Sequence, residues 1–345
     1  MSPTTYVGID VSAKTLDLFI LSHKKQATHL FENNAEGHEK IVRLLRRHTA
    51  QVCLEATGNY SLDLALALHK ANIPCMIVNP RVARNFFLAR NQRAKTDRID
   101  AAGLAEFSKA MPFHQWVPPS QARLELMQLG RHRAALVADL TVVENRLKSL
   151  LATEAHTPLI AESMGEIAKM LQAQQIKVEE RMMALIAGEA ELQAIYSQLS
   201  AIKGIKEKAG AALMAELLML PKDLTTREVV AHVGLDPRVR QSGSSVRGAR
   251  TISRNGNPRV RATLYMVALV ASQYEPSIRA KYQDMVERVK KPKRVALTAI
   301  MRKLLTTIWS MMRSGQAWNG EKFGRSQIAA EKQLATISID AALPV

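Results

Sequence analysis

The chain has 345 residues, 47% hydrophobic and 23% charged, a globular composition with enough apolar material for two or three domains. Its 48 Lys and Arg against 31 Asp and Glu leave a formal charge of +17, which points to a polyanionic partner, most often nucleic acid. The longest uncharged runs, Ala110–Ala122 and Ala262–Tyr274, are too short to cross a bilayer; no basic-then-apolar leader opens the chain; and two cysteines, Cys53 and Cys75, exclude a disulfide framework or a cysteine zinc site, so the reading is cytoplasmic.

Tyr6–Asp10 predicts a short strand ending in an acid, with Leu16–Leu21 and Ala27–Phe31 completing an opening meander. A helix over Gly37–Arg47, a buried strand over Val52–Glu55 that again ends in an acid, a helix over Ser61–Ala71 and a strand over Pro74–Val78 follow. That order implies an α/β sheet domain. Arg81–Arg93 reads as a basic helix, and Asp97 has the position of an N-cap for a helix over Arg98–Ala110. Val117-Pro118-Pro119-Ser120 reads as a linker.

Leu136, Leu140, Val143, Leu147 and Leu150 then recur at heptad spacing. Ile167, Leu171, Val178, Met182 and Leu185 continue the beat, with Gln174 in one core slot. The pattern fits a coiled coil, antiparallel or dimerising, and equally an ordinary helical bundle. From Leu199 the chain reads as helical and glycine-punctuated, with Arg238–Pro258 as a loop, helices over Arg259–Ser272 and Leu297–Met312, and a poorly ordered tail after Gly324.

The charge is localised. Arg238–Arg325 holds 19 Lys and Arg against four acids, which is 15 of the 17 excess charges. Clustering of this kind suits phosphate neutralisation better than a merely solubilising surface does.

Four carboxylates stand out. Asp10 and Glu55 each close a strand, so neighbouring strands would present both at one sheet edge. Asp97 and Asp100 lie three apart at a helix start and share a face. Hard oxygen ligands from two strands and a helix are what a two-metal phosphoryl-transfer site needs. Singly, Asp97 could be a helix cap and Asp10 a turn residue. Glu55 closes an apolar strand, where an acid is costly unless paired or metal-bound.

Gln241–Gly248 is a Ser- and Gly-rich segment flanked by Arg238, Arg240, Arg247 and Arg250. It fits either an activated serine nucleophile or a loop that only grips phosphate. No histidine lies in it to act as base, and His232 upstream could equally be a core residue. Ile202–Ala209 resembles the hairpin of a helix-hairpin-helix element, in which Lys203, Gly204 and Lys206 would meet phosphates. Lys206 stands where such hairpins usually have a second glycine.

Gly8-Ile9-Asp10-Val11, Glu55-Ala56-Thr57-Gly58, Lys95–Ala101, the hairpin at Gly204 and Ser242–Gly248 occur in this order. The set resembles the DEDD transposases of insertion sequences, the family that includes a pilin-gene invertase and the bridge-RNA-guided recombinases. The resemblance implies a RuvC-like domain of RNase H fold (1–115), a coiled-coil dimerisation region (120–195), a mainly α transposase domain with a helix-hairpin-helix-like element (196–325) and a tail (326–345). It assigns Asp10, Glu55, Asp97 and Asp100 to a Mg²⁺ (or Mn²⁺) site. Ser242 becomes the nucleophile that forms a 5′-phosphoserine link to cleaved DNA, with the metal site and the serine working from different subunits.

The resemblance also implies double-stranded donor and target DNA, a noncoding bridge RNA, homodimers pairing into tetramers, no membrane, and a bacterial cytoplasmic protein associated with the nucleoid when acting. Other readings of the same residues are a RuvC-like hydrolytic nuclease, an actin-like kinase or ATPase, whose glycine-rich phosphate turn is missing at Asp10–Lys14, and a non-enzymatic architectural DNA-binding protein.

Overall fold

The computed structural model describes residues 5–22, 26–56, 58, 60–90, 97–238, 241–242, 246–247 and 251–324; of residues 97, 98, 241, 242, 246 and 247 only the backbone is described. The chain forms two compact units, Met1–Pro118 and Pro119–Val345.

The first unit is built on five strands: β1 (Thr5–Val11), β2 (Thr15–Ser22), β3 (Gln26–Glu32), β4 (Ala50–Glu55) and β5 (Cys75–Val78). Their spatial order is β3-β2-β1-β4-β5. The first three strands pair antiparallel, and β4 and β5 join parallel. Helices α1 (Ala35–Leu45) and α2 (Leu62–Lys70) supply the crossovers, and α3 (Pro80–Ala89) and α4 (Asp97–Ala110) follow β5.

Alternation sorts the strand residues between two faces. Val7, Ile9, Leu18 and Leu54 turn to one face and pack with Ile41 of α1 and Leu64 of α2. Cys53, Met76 and Val78 turn to the other, under Ala83 of α3 and Leu104 and Phe107 of α4. The result is a three-layer sandwich. Asp97 is the first residue of α4 rather than the cap before it, a one-residue difference of the kind helix ends commonly show.

The second unit opens with two long helices, α5 (Gln121–Leu150) and α6 (Pro158–Gly188). Arg133 meets Glu179 at 2.7 Å and Arg181 meets Glu125 at 2.6 Å, so the two run antiparallel as a hairpin within one chain. The expected stripe on α5 faces the partner helix. On α6 the seam is shifted by one residue at its N-terminal half: Ile167 is exposed while Ala168 is buried, and Gln175 rather than Gln174 takes the inner position.

Helices α7 (Ala190–Ser200), α8 (Glu207–Leu217), α9 (Thr226–Val233), α10 (Pro258–Tyr274), α11 (Pro276–Gln283), a π-helical turn (Asp284–Arg288), α12 (Lys293–Ser314) and α13 (Gly320–Gly324) follow. They share one core that includes Leu213, Met214, Val267, Ile300 and Leu304. By length and composition alone α12 could cross a membrane. Nine of its residues, Ile300, Leu304 and Trp309 among them, are buried in this core, so packing accounts for its apolar character.

The segment expected to be a loop carries two short antiparallel ladders: β6 (Pro237–Arg238) with β9 (Thr251–Ile252), and β7 (Gln241–Ser242) with β8 (Val246–Arg247). Sequence periodicity cannot register strands of two residues, which is why the segment read as irregular.

Candidate active site

In the first unit, Ile9 pairs with Leu54 across the parallel β1–β4 ladder. The next residue on each strand is an acid, so Asp10 and Glu55 stand side by side on the opposite face, at the carboxyl edge of both strands. Asp17 of β2 is the direct cross-strand partner of Asp10. The face therefore carries Asp17, Asp10 and Glu55 in consecutive strands. Asp17 was not singled out from sequence: apolar alternation over Leu16, Leu18 and Ile20 sets it on the other side of β2, where an acid draws no notice until the register shows Asp10 beside it.

Helix α4 lies over this face because Gly8 has no side chain. A Cβ there would overlap the Ala101 carbonyl oxygen and the Ala105 nitrogen of α4. The close approach brings the start of α4, with Asp97 and Asp100, to the same side of the sheet as Asp10 and Glu55. Asp100 is half-buried, and the Asp97 side chain lies outside the described residues. Among the described residues, no three His, Cys, Asp or Glu side chains converge closely enough to cage a metal. The donor set is nonetheless all carboxylate, the chemistry that suits a hard divalent cation.

The two loops beyond these strands are tied together. Asn33 Nδ2 donates to the Ser12 carbonyl (2.8 Å), after β1, and to the Tyr60 carbonyl (3.1 Å), after β4. With both amide hydrogens so used, Asn33 Oδ1 is the acceptor that faces His38 Nε2 at 2.8 Å. Nε2 therefore carries the proton. Burial holds the His38 pKa below the ordinary imidazole value, against a smaller upward pull from Asp63, which keeps the ring neutral. Two residues before Glu55 on the same face, burial pushes the Cys53 thiol up to about 12, with the Glu55 and Cys75 charges adding to the effect. Cys75 is raised to about 11 by burial. Neither is a nucleophile.

In the second unit Ser242 ends β7, opposite Val246. This inner pair is nested inside the outer one, in which Pro237 faces Ile252 and Arg238 faces Thr251. Arg238 is exposed. Arg240 and Arg250 lie outside the described residues, and so do the side chains of Ser242 and Arg247. The turn at Lys203-Gly204 joins α7 to α8. Gly204 has φ +116° and packs about against α10, where a Cβ would stand 3.0 Å from the Ala271 nitrogen. A glycine is needed there for packing as well as for conformation. Lys203 and Lys206 point to solvent.

Sequence reasoning also missed Glu216, an acid at 6% exposure in α8. The argument that singled out Glu55, an acid amid apolar neighbours, applies to Ala215-Glu216-Leu217 with equal force.

Residues 7–155 match the DEDD profile of the IS110 transposases, and residues 196–283 match the transposase family IS116/IS110/IS902. The chain belongs to the IS110 family of DEDD transposases. As a member it is a DNA-recombination enzyme. The first match spans Asp10, Glu55, Asp97 and Asp100, and the second spans Gly204, Glu216 and Ser242.

The pilin gene-inverting proteins of Moraxella bovis and Moraxella lacunata are each 26% identical to this IS110-family chain over 320 residues. In both cases the match covers 91% of this chain and 98% of the relative. Among solved structures, T. thermophilus RuvC in complex with a Holliday junction substrate is similar over 33% of this chain and 99% of its own, at 12% identity and a TM-score of 0.27.

Proposed function

We propose that this IS110-family transposase cuts and exchanges DNA strands through Ser242, assisted by a divalent-cation site formed by Asp10, Glu55, Asp97 and Asp100. The observation that carries this reading is that the elements bearing these acids, β1, β4 and α4, meet on one face of the sheet. Register sets Asp10 beside Glu55, and Gly8 admits the helix that bears the other two acids. The strand order β3-β2-β1-β4-β5 supports an RNase H-like assignment for the domain at 1–115. The α5–α6 hairpin is what a coiled-coil region at 120–195 would use, and the helices after it would form the transposase domain at 196–325, with the two sharing one core.

The covalent step is a transesterification. The Ser242 Oγ–P bond forms on the 5′ phosphate, the P–O3′ bond breaks, the serine proton is lost and the departing 3′ oxygen takes one up. No water is consumed, so the phosphodiester energy is kept for rejoining. Magnesium, held by the four carboxylates, would supply charge stabilisation at the phosphate. The chain's own parts hold and orient: Asn33 fixes the two loops beyond Asp10 and Glu55, and the nested ladders present Ser242. Arg238, Arg240, Arg247 and Arg250, with Lys203, Gly204 and Lys206 at the other turn, contact backbone phosphates. We further propose that a bridge RNA guides DNA choice, and that the subunits pair into dimers and tetramers, with the serine of one subunit served by the carboxylates of another.

The test is adduct trapping. Purified protein, Mg²⁺ and labelled DNA spanning the junction of its element are incubated with and without RNA from the element's flank, then denatured. A protein–DNA adduct lost in Ser242→Ala and in Asp10→Ala is the expected result. Cleaved DNA without an adduct would make the enzyme a hydrolytic nuclease instead.

A further inference from the structure

Glu216 is a carboxylate inside the core of the second unit that the reaction scheme does not use. Unpaired, it would be costly there. Three donors close on it instead. Arg259 Nε and Arg131 Nε (3.4 Å) reach Oε1, and Asn257 Nδ2 reaches Oε2 at 2.7 Å. Burial pushes its pKa up, but the bonds and charges of Arg259, Arg131 and Asn257 outweigh that and hold the carboxyl below its ordinary value. His232 on α9 is the other titratable group that feels its charge.

Two of the three donors come from the exit of the Ser242 segment. Asn257 and Arg259 open α10, shortly after β9. Asn257 divides its amide between two tasks: Nδ2 serves Glu216, while Oδ1 accepts from the backbone nitrogens of Arg259 (3.0 Å) and Val260 (3.3 Å) and caps the helix. The Asn257 nitrogen donates to the His232 carbonyl at 2.9 Å. Arg261 Nη1 reaches the carbonyls of Val233 (2.7 Å) and Gly256 (3.0 Å). At the entry to the segment, the Ser253 hydroxyl donates to Asp236 Oδ1 at 2.5 Å, and the Arg254 nitrogen donates to the Gly234 carbonyl at 3.1 Å. The two ends of the nested ladders are thus pinned to each other, and the exit is pinned to a buried anion. Arg131 ties the same anion to α5.

We propose that Glu216 is a positioning residue for Ser242: through Asn257 and Arg259 it fixes where the nested ladders meet α10, and so sets the approach of the serine to the phosphate. This rests on the reading of Ser242 as the nucleophile. Misplacement of a reacting group by about 1 Å costs on the order of a hundredfold in rate. A positioning role therefore lowers the covalent step while sparing DNA binding.

The test measures adduct formation rate, duplex affinity and melting temperature in wild type, Glu216→Gln, Asn257→Asp and Ser242→Ala. Glu216→Gln should form adduct at least about tenfold more slowly, with duplex affinity changed by less than about twofold. Asn257→Asp keeps the oxygen that caps α10 but loses the donor to Glu216 and sets two carboxyls together, which raises the pKa of the pair. Its adduct rate relative to wild type should therefore recover as the pH is lowered toward about 5, as the introduced carboxyl regains a proton to donate. Glu216→Gln should show no such recovery. If Glu216→Gln does not fold, Asn257→Asp carries the test.

A folded Glu216→Gln with wild-type adduct rate, a fall of rate and affinity in step, or a pH-independent deficit in Asn257→Asp would each overturn the proposal. Adduct persisting in Ser242→Ala would contradict the serine reading and the proposal with it. Adduct lost there but kept in Glu216→Gln contradicts the positioning role alone.

Discussion

Single residues carry much of the geometry around the carboxylate face. Gly8 is where α4 touches the sheet, and Gly8→Ala forces a Cβ into the backbone of Ala101 and Ala105. Overpacking of this kind costs about 1–3 kcal/mol or more, so thermal unfolding should fall by several degrees and cleavage should be lost with it. Asn33→Asp is nearly isosteric but cannot donate to the Ser12 and Tyr60 carbonyls. Leaving such groups unsatisfied costs about 1–3 kcal/mol, readable in urea unfolding, and the variant should need more Mg²⁺ for half-maximal cleavage.

Glu216 predicts a pH signature in stability. Its folded pKa lies below the ordinary 4.5, so its contribution is complete above about pH 4.5 and is lost as the pH falls through the lowered value. Urea unfolding across that range should show a shallower acid limb in Glu216→Gln than in wild type.

At the scale of elements, the α5–α6 hairpin divides into a base and a tip. Near the base, Met182 and Ile186 are buried in the common core, and truncating Ile186 to Ala should cost about 2–5 kcal/mol of stability. Toward the tip, Leu159, Ile167 and Met170 are exposed at 71%, 42% and 57%. Ile167→Lys with Met170→Lys should leave the melting temperature of the monomer within about two degrees, since exposed sites contribute little. Sedimentation should show weaker self-association if the tip pairs subunits.

These helices also mark what the sequence could and could not disclose. The five strands and their order of appearance were legible because apolar alternation has period two, and both strand-end acids followed from that reading. The α6 seam was misplaced by one residue because Ile167 outweighs Ala168 on any hydrophobic count, although the small residue is the one that packs. The ladders around Ser242 were illegible because strands of two residues have no period. Asp17 needed the β1–β2 register, and Glu216 needed the three partners that reach it from α5 and α10.

At the scale of the whole molecule, an α/β unit of formal charge +5 that carries the carboxylate face is joined to a helical unit of formal charge +12, whose excess is concentrated in Arg238–Arg325. The densest cationic stretch thus lies in a different unit from the carboxylate face. Duplex affinity should therefore fall steeply with salt, as counterion release requires, with each phosphate contact contributing about 0.9 to the log–log slope. Removing Lys203 and Lys206 together should reduce the slope by about two if both meet phosphate.

The central claim is a covalent bond between Ser242 and the 5′ phosphate of cleaved DNA, and the most direct measurement is mass spectrometry of the trapped adduct after nuclease and protease digestion. The account predicts one nucleotide-bearing peptide, modified at Ser242 and absent from Asp10→Ala. Modification at Ser244 or Ser245, or cleaved DNA with no modified peptide, would contradict it.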